Sequence, residues 1–324
     1  MKRILMIILA TMLFSGMMSA QTVTFQFEKE TLSNTSLREK MEERISSLLS
    51  EITQASKANR PLKLDSLCLT PRASKRLSML WEHLHFSCDY TSNVEKCLQD
   101  VNGYEVRGIF VTLQPTADGY VGDLERELVI SFDNDGQIAG VRMALENDTY
   151  MTIQNRSVDA TDFRKRLEIL KFLEDYHSYY EEKNIEALHN DIYNEHAGFC
   201  TSTSHIGDDI NQDQADFKIK AEKFDTKEVI SRLTKAFAKN KYVTVKFDQI
   251  QIKRHIVKEG FYVVTFHQEI SYGKYSDNGY MFMIWEFREG SSPILLVRAW
   301  QPEIIDGHRL TPDELFNEND FFLP

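Results

Sequence analysis

The feature that most constrains this chain is an order of elements that occurs twice. Residues 37–57 carry Leu37, Met41, Ile45, Leu48, Leu49, Ile52 and Ala55 at helical spacing, and Arg60-Pro61 ends the pattern. A second helix is expected after Thr70-Pro71, with Leu77, Leu80, Trp81 and Leu84 on one face. From Tyr104 the pattern turns to strands, and Asn134-Asp135-Gly136 joins two β-rich runs as a hairpin. The order then returns: a long helix over 163–183, a later helix over 226–239, and β-rich runs at 241–255, 261–272, 278–288 and 294–300. Leu77, Leu80 and Trp81 match Leu233, Ala236 and Phe237. Phe132 matches Phe287, and Val141-Arg142-Met143 matches Val297-Arg298-Ala299. The offset stays at 155 or 156 residues across a helix and a hairpin, as an internal duplication requires. The first helices do not keep it, because the second copy holds about 30 additional residues (196–225) between its helices.

Helices followed by antiparallel strands predict an α+β fold: two tandem domains, each a long helix packed on a curved sheet. The division expected is 25–155 and 160–305, with the polar stretch from Asn155 to Asp162 between them and a C-terminal tail over 306–324. Residues 1–20 read as a cleavable export signal. Lys2 and Arg3 precede the apolar run Ile4–Phe14, and Ser15, Gly16, Ser19 and Ala20 supply small residues for cleavage after Ala20. The run is shorter than the roughly 20 residues a bilayer span needs, and no later stretch is apolar enough for a transmembrane segment. The expected location is therefore periplasmic or secreted. Loss of two bases and no acids takes the formal charge from −11 to −13, which disfavours nucleic acid and anionic membrane surfaces as partners. In an oxidising compartment Cys88 and Cys97, in FSCDYTSNVEKC, are expected to pair, a closure that would stabilise by about 2.5–3 kcal/mol. Cys68 and Cys200 read as small buried residues.

YSDNGYMFMIWEF followed by VRAWQP, together with FAKNKYVTVKFDQIQIKRH, WEHLHFSCDYTSNVEKCL and ENDFFLP, resembles a group of exported proteins of Gram-negative bacteria over nearly the whole chain after residue 20. That resemblance implies two tandem cystatin-like cones of the nuclear transport factor two (NTF2) and SnoaL type, and it implies no particular activity.

No GxSxG, HExxH, Walker A or GxGxxG is present, so no catalytic residue, metal site or cofactor is assigned. His83 and His85 are two apart and face different ways, and His205 with Asp208 and Asp209 reads as a solvated loop. The second copy is denser in aromatics. Strand alternation sets Arg298 and Trp300 on one face, a pairing suited to an anionic or planar ligand. The candidate ligand-binding set is Tyr176, Tyr180, Trp285, Arg298 and Trp300, with 196–225 as a wall or lid. The competing reading makes the aromatics core and gives Arg298 a sheet carboxylate such as Glu286. The expected function is non-enzymatic binding, of an envelope protein or a small ligand. The alternative is a cone-fold enzyme using His177 or His267 as acid–base group.

Overall fold

The computed structural model describes residues 23–28, 32–88, 92–94, 97–99, 103–145, 147–193, 198–206, 217–223, 226–272, 275–290 and 293–323. The expected export signal at 1–20 lies outside them, as do Asp208 and Asp209. The chain divides into two compact units. Unit 1 is Met1–Gln114 with Leu124–Val141, and unit 2 is Pro115–Asp123 with Arg142–Pro324.

Unit 1 holds strand β1 (Phe25–Phe27), helices α1 (Thr35–Lys57) and α2 (Pro71–Trp81), and strands β2 (Leu84–Ser87), β3 (Ser92–Val94), β4 (Cys97–Gln99), β5 (Gly103–Pro115), β6 (Glu125–Asp133) and β7 (Ile138–Met143). Both helices start where the sequence places a cap. The Asn34 side chain accepts from Leu37 N, and that of Thr70 from Ala73 N with Pro71 as the first helical residue. The expected hairpin forms between β6 and β7. Asp133 Oδ1 accepts from Asp135 N and Gln137 N, and Gly136 takes φ +76°, a left-handed conformation that suits glycine. Leu84 belongs to β2 instead of extending α2. The sheet runs β2-β5-β6-β7 with β4 also paired to β5. Helix α1 lays Met41, Ile45, Leu48, Leu49 and Ile52 against it with no solvent exposure. Burying each such aliphatic side chain stabilises by about 1.5–3 kcal/mol.

Unit 2 also combines helices with a sheet. It holds helices α3 (Asn147–Arg156), α4 (Ala160–Glu181) and α5 (Thr226–Lys239), and strands β8 (Gly198–Ile206), β9 (Phe217–Lys223), β10 (Thr244–Arg254), β11 (Phe261–Tyr272), β12 (Tyr275–Glu286) and β13 (Ile294–Pro302). Its six-stranded sheet runs β10-β11-β12-β13-β8-β9. Register shifts at Asp248/Gln251 and at Ile284/Trp285 are bulges of the kind that curl a sheet. Each unit is thus a long helix on a curled, mostly antiparallel sheet, and the fold is α+β.

The described parts of the 196–225 segment are β8 and β9, and β8 adds to the sheet parallel to β13. His205 accordingly pairs in register with Lys218 rather than lying in a loop. In unit 1, among the described residues, Leu69 makes an isolated parallel bridge to Ile138.

The expected Cys88–Cys97 disulfide is not formed; both residues are thiols. They are held on separate supports. Cys88 N donates to Thr53 Oγ1 at 3.0 Å and Cys88 O accepts from the same hydroxyl at 3.1 Å, while Cys97 pairs across the sheet with Val106. Burial raises the Cys97 thiol to about 11.

The outer face of the unit 2 sheet carries Val263, Phe282, Ile284, Val297 and Ala299. The C-terminal segment covers it with Phe316, Phe321 and Leu323. Phe321 stacks on Phe282 at 5.2 Å, and Gln301, almost fully buried, donates to Glu314 O at 3.0 Å and accepts from Phe316 N at 2.6 Å.

Candidate ligand-binding site

Helix α4 positions the site and is itself fixed at its start. Asp159 caps it by accepting from Asp162 N at 2.8 Å. The fully buried Asp162 then accepts from Val158 N (3.1 Å), Arg166 Nε (2.9 Å), Arg254 Nε (2.9 Å) and Tyr262 Oη (2.7 Å). Burial alone would raise this carboxyl, but the hydrogen bonds from Tyr262, Arg254, Val158 and Arg166 win and hold it well below the usual carboxylate range. The stretch read from sequence as a boundary therefore anchors α4 to β10 and β11.

Toward its other end α4 buries phenols. Tyr176 and Tyr180 stand one turn apart with ring centroids 5.4 Å apart, while Tyr179 donates to Asp191 Oδ2 at 2.7 Å. Beyond the helix Lys183 takes φ +52°, and Asn184 accepts from Ala187 N at 3.0 Å. A π-helical turn at Leu188–Ile192 then delivers Tyr193, also buried, beside them. Arg298 reaches up from β13 into this group. It donates from Nη2 to Tyr176 Oη at 2.6 Å and to Tyr193 Oη at 3.1 Å. Its guanidinium lies 4.6 Å from the Tyr193 ring centroid and 5.4 Å from that of Tyr176. Tyr176 in turn donates to Gln268 Oε1 at 2.9 Å, which orients the amide and leaves its NH2 as the donor end. Tyr180 and Tyr193 share a hydrogen bond of 2.9 Å.

These residues form the inner wall of a cavity of about 400 Å³. Tyr180, Tyr193, Gln268 and Arg298 line it together with Trp300, Ile270 and Tyr272 from the sheet. Helix α5 closes the opposite side with Val229, Leu233 and Ala236, one helical face, and Arg232 stands at the rim, ion-paired to Glu228. Lys183 holds the end of α5 by donating to Phe237 O and Asn240 O. Gly279 makes room for Trp300: a Cβ there would sit 2.9 Å from the indole Nε1 and 2.2 Å from Gln301 O. Asp277 lies at the mouth, exposed to solvent.

Tyr176, Tyr180 and Tyr272 are neutral at physiological pH. Burial pushes all three well above the ordinary tyrosine value. Desolvation lowers the pKa of Arg298, but the oxygens of Tyr176, Tyr193 and Tyr180 more than offset it, so the guanidinium stays charged. The inner wall is thus cationic and rich in donors, with apolar and aromatic sides. Such a lining recognises a group with acceptor oxygens attached to an apolar body.

Of the five residues proposed from sequence, Tyr180, Arg298 and Trp300 line the cavity. Tyr176 stands behind the wall as a hydrogen-bond partner of Arg298. Trp285 does not line it. The bulge at Ile284/Trp285 places that ring further along the sheet, buried edge-on against Phe172 at 4.5 Å. Glu286 engages Arg288 at 2.8 Å, so the suggested Arg298–Glu286 pair is not formed. The two acid–base candidates also lie elsewhere. His177 Nε2 is 2.7 Å from Val245 O, and its Nδ1 is 3.5 Å from Glu181. His267 alternates with the lining residue Gln268 onto the other sheet face, where it meets Tyr280 at 5.2 Å. Sequence reasoning missed Tyr193, Gln268, Asp277 and the α5 face, and left Tyr272, one of the aromatics of the second copy, out of the candidate set. Only α5 carried a signal, the spacing of Val229, Leu233 and Ala236.

No protein-family model matches the chain, and no curated protein matches it. Solved structures similar to it include an NTF2-like protein of unknown function from Shewanella oneidensis, 10% identical, with a TM-score of 0.28 over 42% of this chain and 98% of its own. A putative scytalone dehydratase from Novosphingobium aromaticivorans is 14% identical, with a TM-score of 0.31 over 47% of this chain and 92% of its own. Naphthalene 1,2-dioxygenase with indole bound is 11% identical, with a TM-score of 0.32 over 48% of this chain and 95% of its own.

Proposed function

We propose that the chain is an exported binding protein of two tandem cone-type domains, and that unit 2 holds a small organic ligand bearing an anionic or strongly accepting group. One observation carries the reading. A buried guanidinium, oriented by Tyr176 and Tyr193, stands at the inner wall of an otherwise aromatic and aliphatic cavity of about 400 Å³. A site that fixes its charge before the ligand arrives spends little on reorganisation when it binds. The placement of His177 and His267 away from the lining supports binding over histidine-based catalysis. The basic, apolar and small-residue regions of residues 1–20 support action outside the cytoplasm.

Native mass spectrometry of the full chain purified from cells, beside Arg298→Met, tests this. The expected result is a small-molecule adduct on the wild type that is lost from the folded variant. An adduct of equal occupancy on both, or no adduct and no thermal stabilisation by a panel of organic acids, would overturn it.

A further inference from the structure

The cavity has a second charged end. Asp277 lines it at the mouth, on β12 opposite Ile270 of β11, and is exposed to solvent there. Arg298 lies opposite Met283, six residues further along the same strand, so the two backbone levels are separated by about 20 Å before the side chains reach inward. Between the two levels stand Trp300, opposite Met281, and Gln268, opposite Gly279, on the sheet side, with the apolar Val229, Leu233 and Ala236 on the helix side. The other cation of the lining, Arg232, is at the rim and already engaged by Glu228.

We infer, building on the binding reading above, that the ligand is bipolar: an elongated organic acid whose acidic head meets Arg298 and whose far end carries an amino or other cationic donor group that meets Asp277. An acid with an uncharged tail would satisfy the inner wall and bring no counter-charge to the carboxylate at the mouth. An acid with a second negative group would place like charges together there. A cationic far end pairs with Asp277, and Trp300 with the apolar face of α5 takes the chain between.

The test uses octanoate, octylamine and 8-aminooctanoate as probes, with titration calorimetry on the full chain, Asp277→Asn and Arg298→Met, each checked for an unchanged folded spectrum. The wild type is expected to bind 8-aminooctanoate at least about tenfold more tightly than octanoate. Asp277→Asn should erase that preference while keeping octanoate affinity within about threefold, and Arg298→Met should weaken both acids by about tenfold or more. Octanoate binding as well as 8-aminooctanoate in the wild type, with both dependent on Arg298, overturns the bipolar ligand and leaves the binding reading standing. A preference that survives in Asp277→Asn also overturns it. Failure of both acids to bind the wild type at millimolar concentration overturns both.

Discussion

The long helices of the two units differ in what they bury. Helix α1 presents Met41, Ile45, Leu48, Leu49 and Ile52, an aliphatic stripe with no solvent exposure, and among polar residues buries only Ser50, Thr53 and Ser56. Helix α4 buries Ile169, Leu170 and Leu173 together with the ionisable Asp162, Arg166, Glu174, Tyr176, His177, Tyr180 and Glu181. The arginines matched by the sequence repeat also differ. Arg142 donates from Nε to Glu174 Oε2 at 3.0 Å, both side chains buried, whereas Arg298 donates to two phenols beside a cavity. Both arginines meet α4, Arg142 at Glu174 and Arg298 at Tyr176, and the side chain that α4 offers decides which forms an ion pair and which borders the cavity.

The largest test of that contrast is Glu174→Ala. It leaves Arg142 buried without this carboxylate and should cost about 3–5 kcal/mol, read as a large fall in the midpoint of chemical denaturation. A loss under about 1 kcal/mol would show that the pair is not structural. Leu48→Ala probes the apolar helix. Calorimetry should show a loss of about 3 kcal/mol that is insensitive to salt, as cavity formation predicts. Acid titration separates the units next. Asp162 has a folded pKa held below its unfolded value of about 3.9, so its stabilisation is present above that pH and is lost as the pH falls further. Asp162→Asn should flatten the acid limb of the stability curve below pH 4, and an unchanged limb would contradict the anchoring role. Arg298→Met should cost only about 1 kcal/mol, because the Tyr176–Gln268 and Tyr180–Tyr193 bonds survive it. A loss matching that of Glu174→Ala would make the two arginines equivalent. The smallest effect concerns Cys88 and Cys97. Both should react with a thiol reagent in denaturant without reductant, and protection of both would restore the expected bridge.

Much of this was legible in the sequence where local chemistry decides the outcome. Thr70-Pro71 and the Asn134-Asp135-Gly136 turn announce themselves because each satisfies its own backbone. The period of two set Arg298 and Trp300 on one face, and both line the cavity. Strand β8 was hidden because CTSTSHI lacks an apolar alternation and its pairing depends on the edge that β13 offers; β9 did carry a signal, the alternation of Phe217, Ile219 and Ala221 with charged residues. Tyr193 was hidden for a related reason. Its position follows from Asn184 and a π-helical turn, which no periodic pattern reports. Trp285 misled because alternation gives a face but not how far along that face the cavity extends.

The segment that carries Phe316, Phe321 and Leu323 has a consequence for association. An apolar sheet face of this kind is an ordinary surface for self-assembly, and a face covered by a second molecule is uncovered on dilution. Here the cover is covalently attached, so it stays in place at any protein concentration and acts as though present at roughly millimolar level. Any molecule seeking that face competes with the tether first.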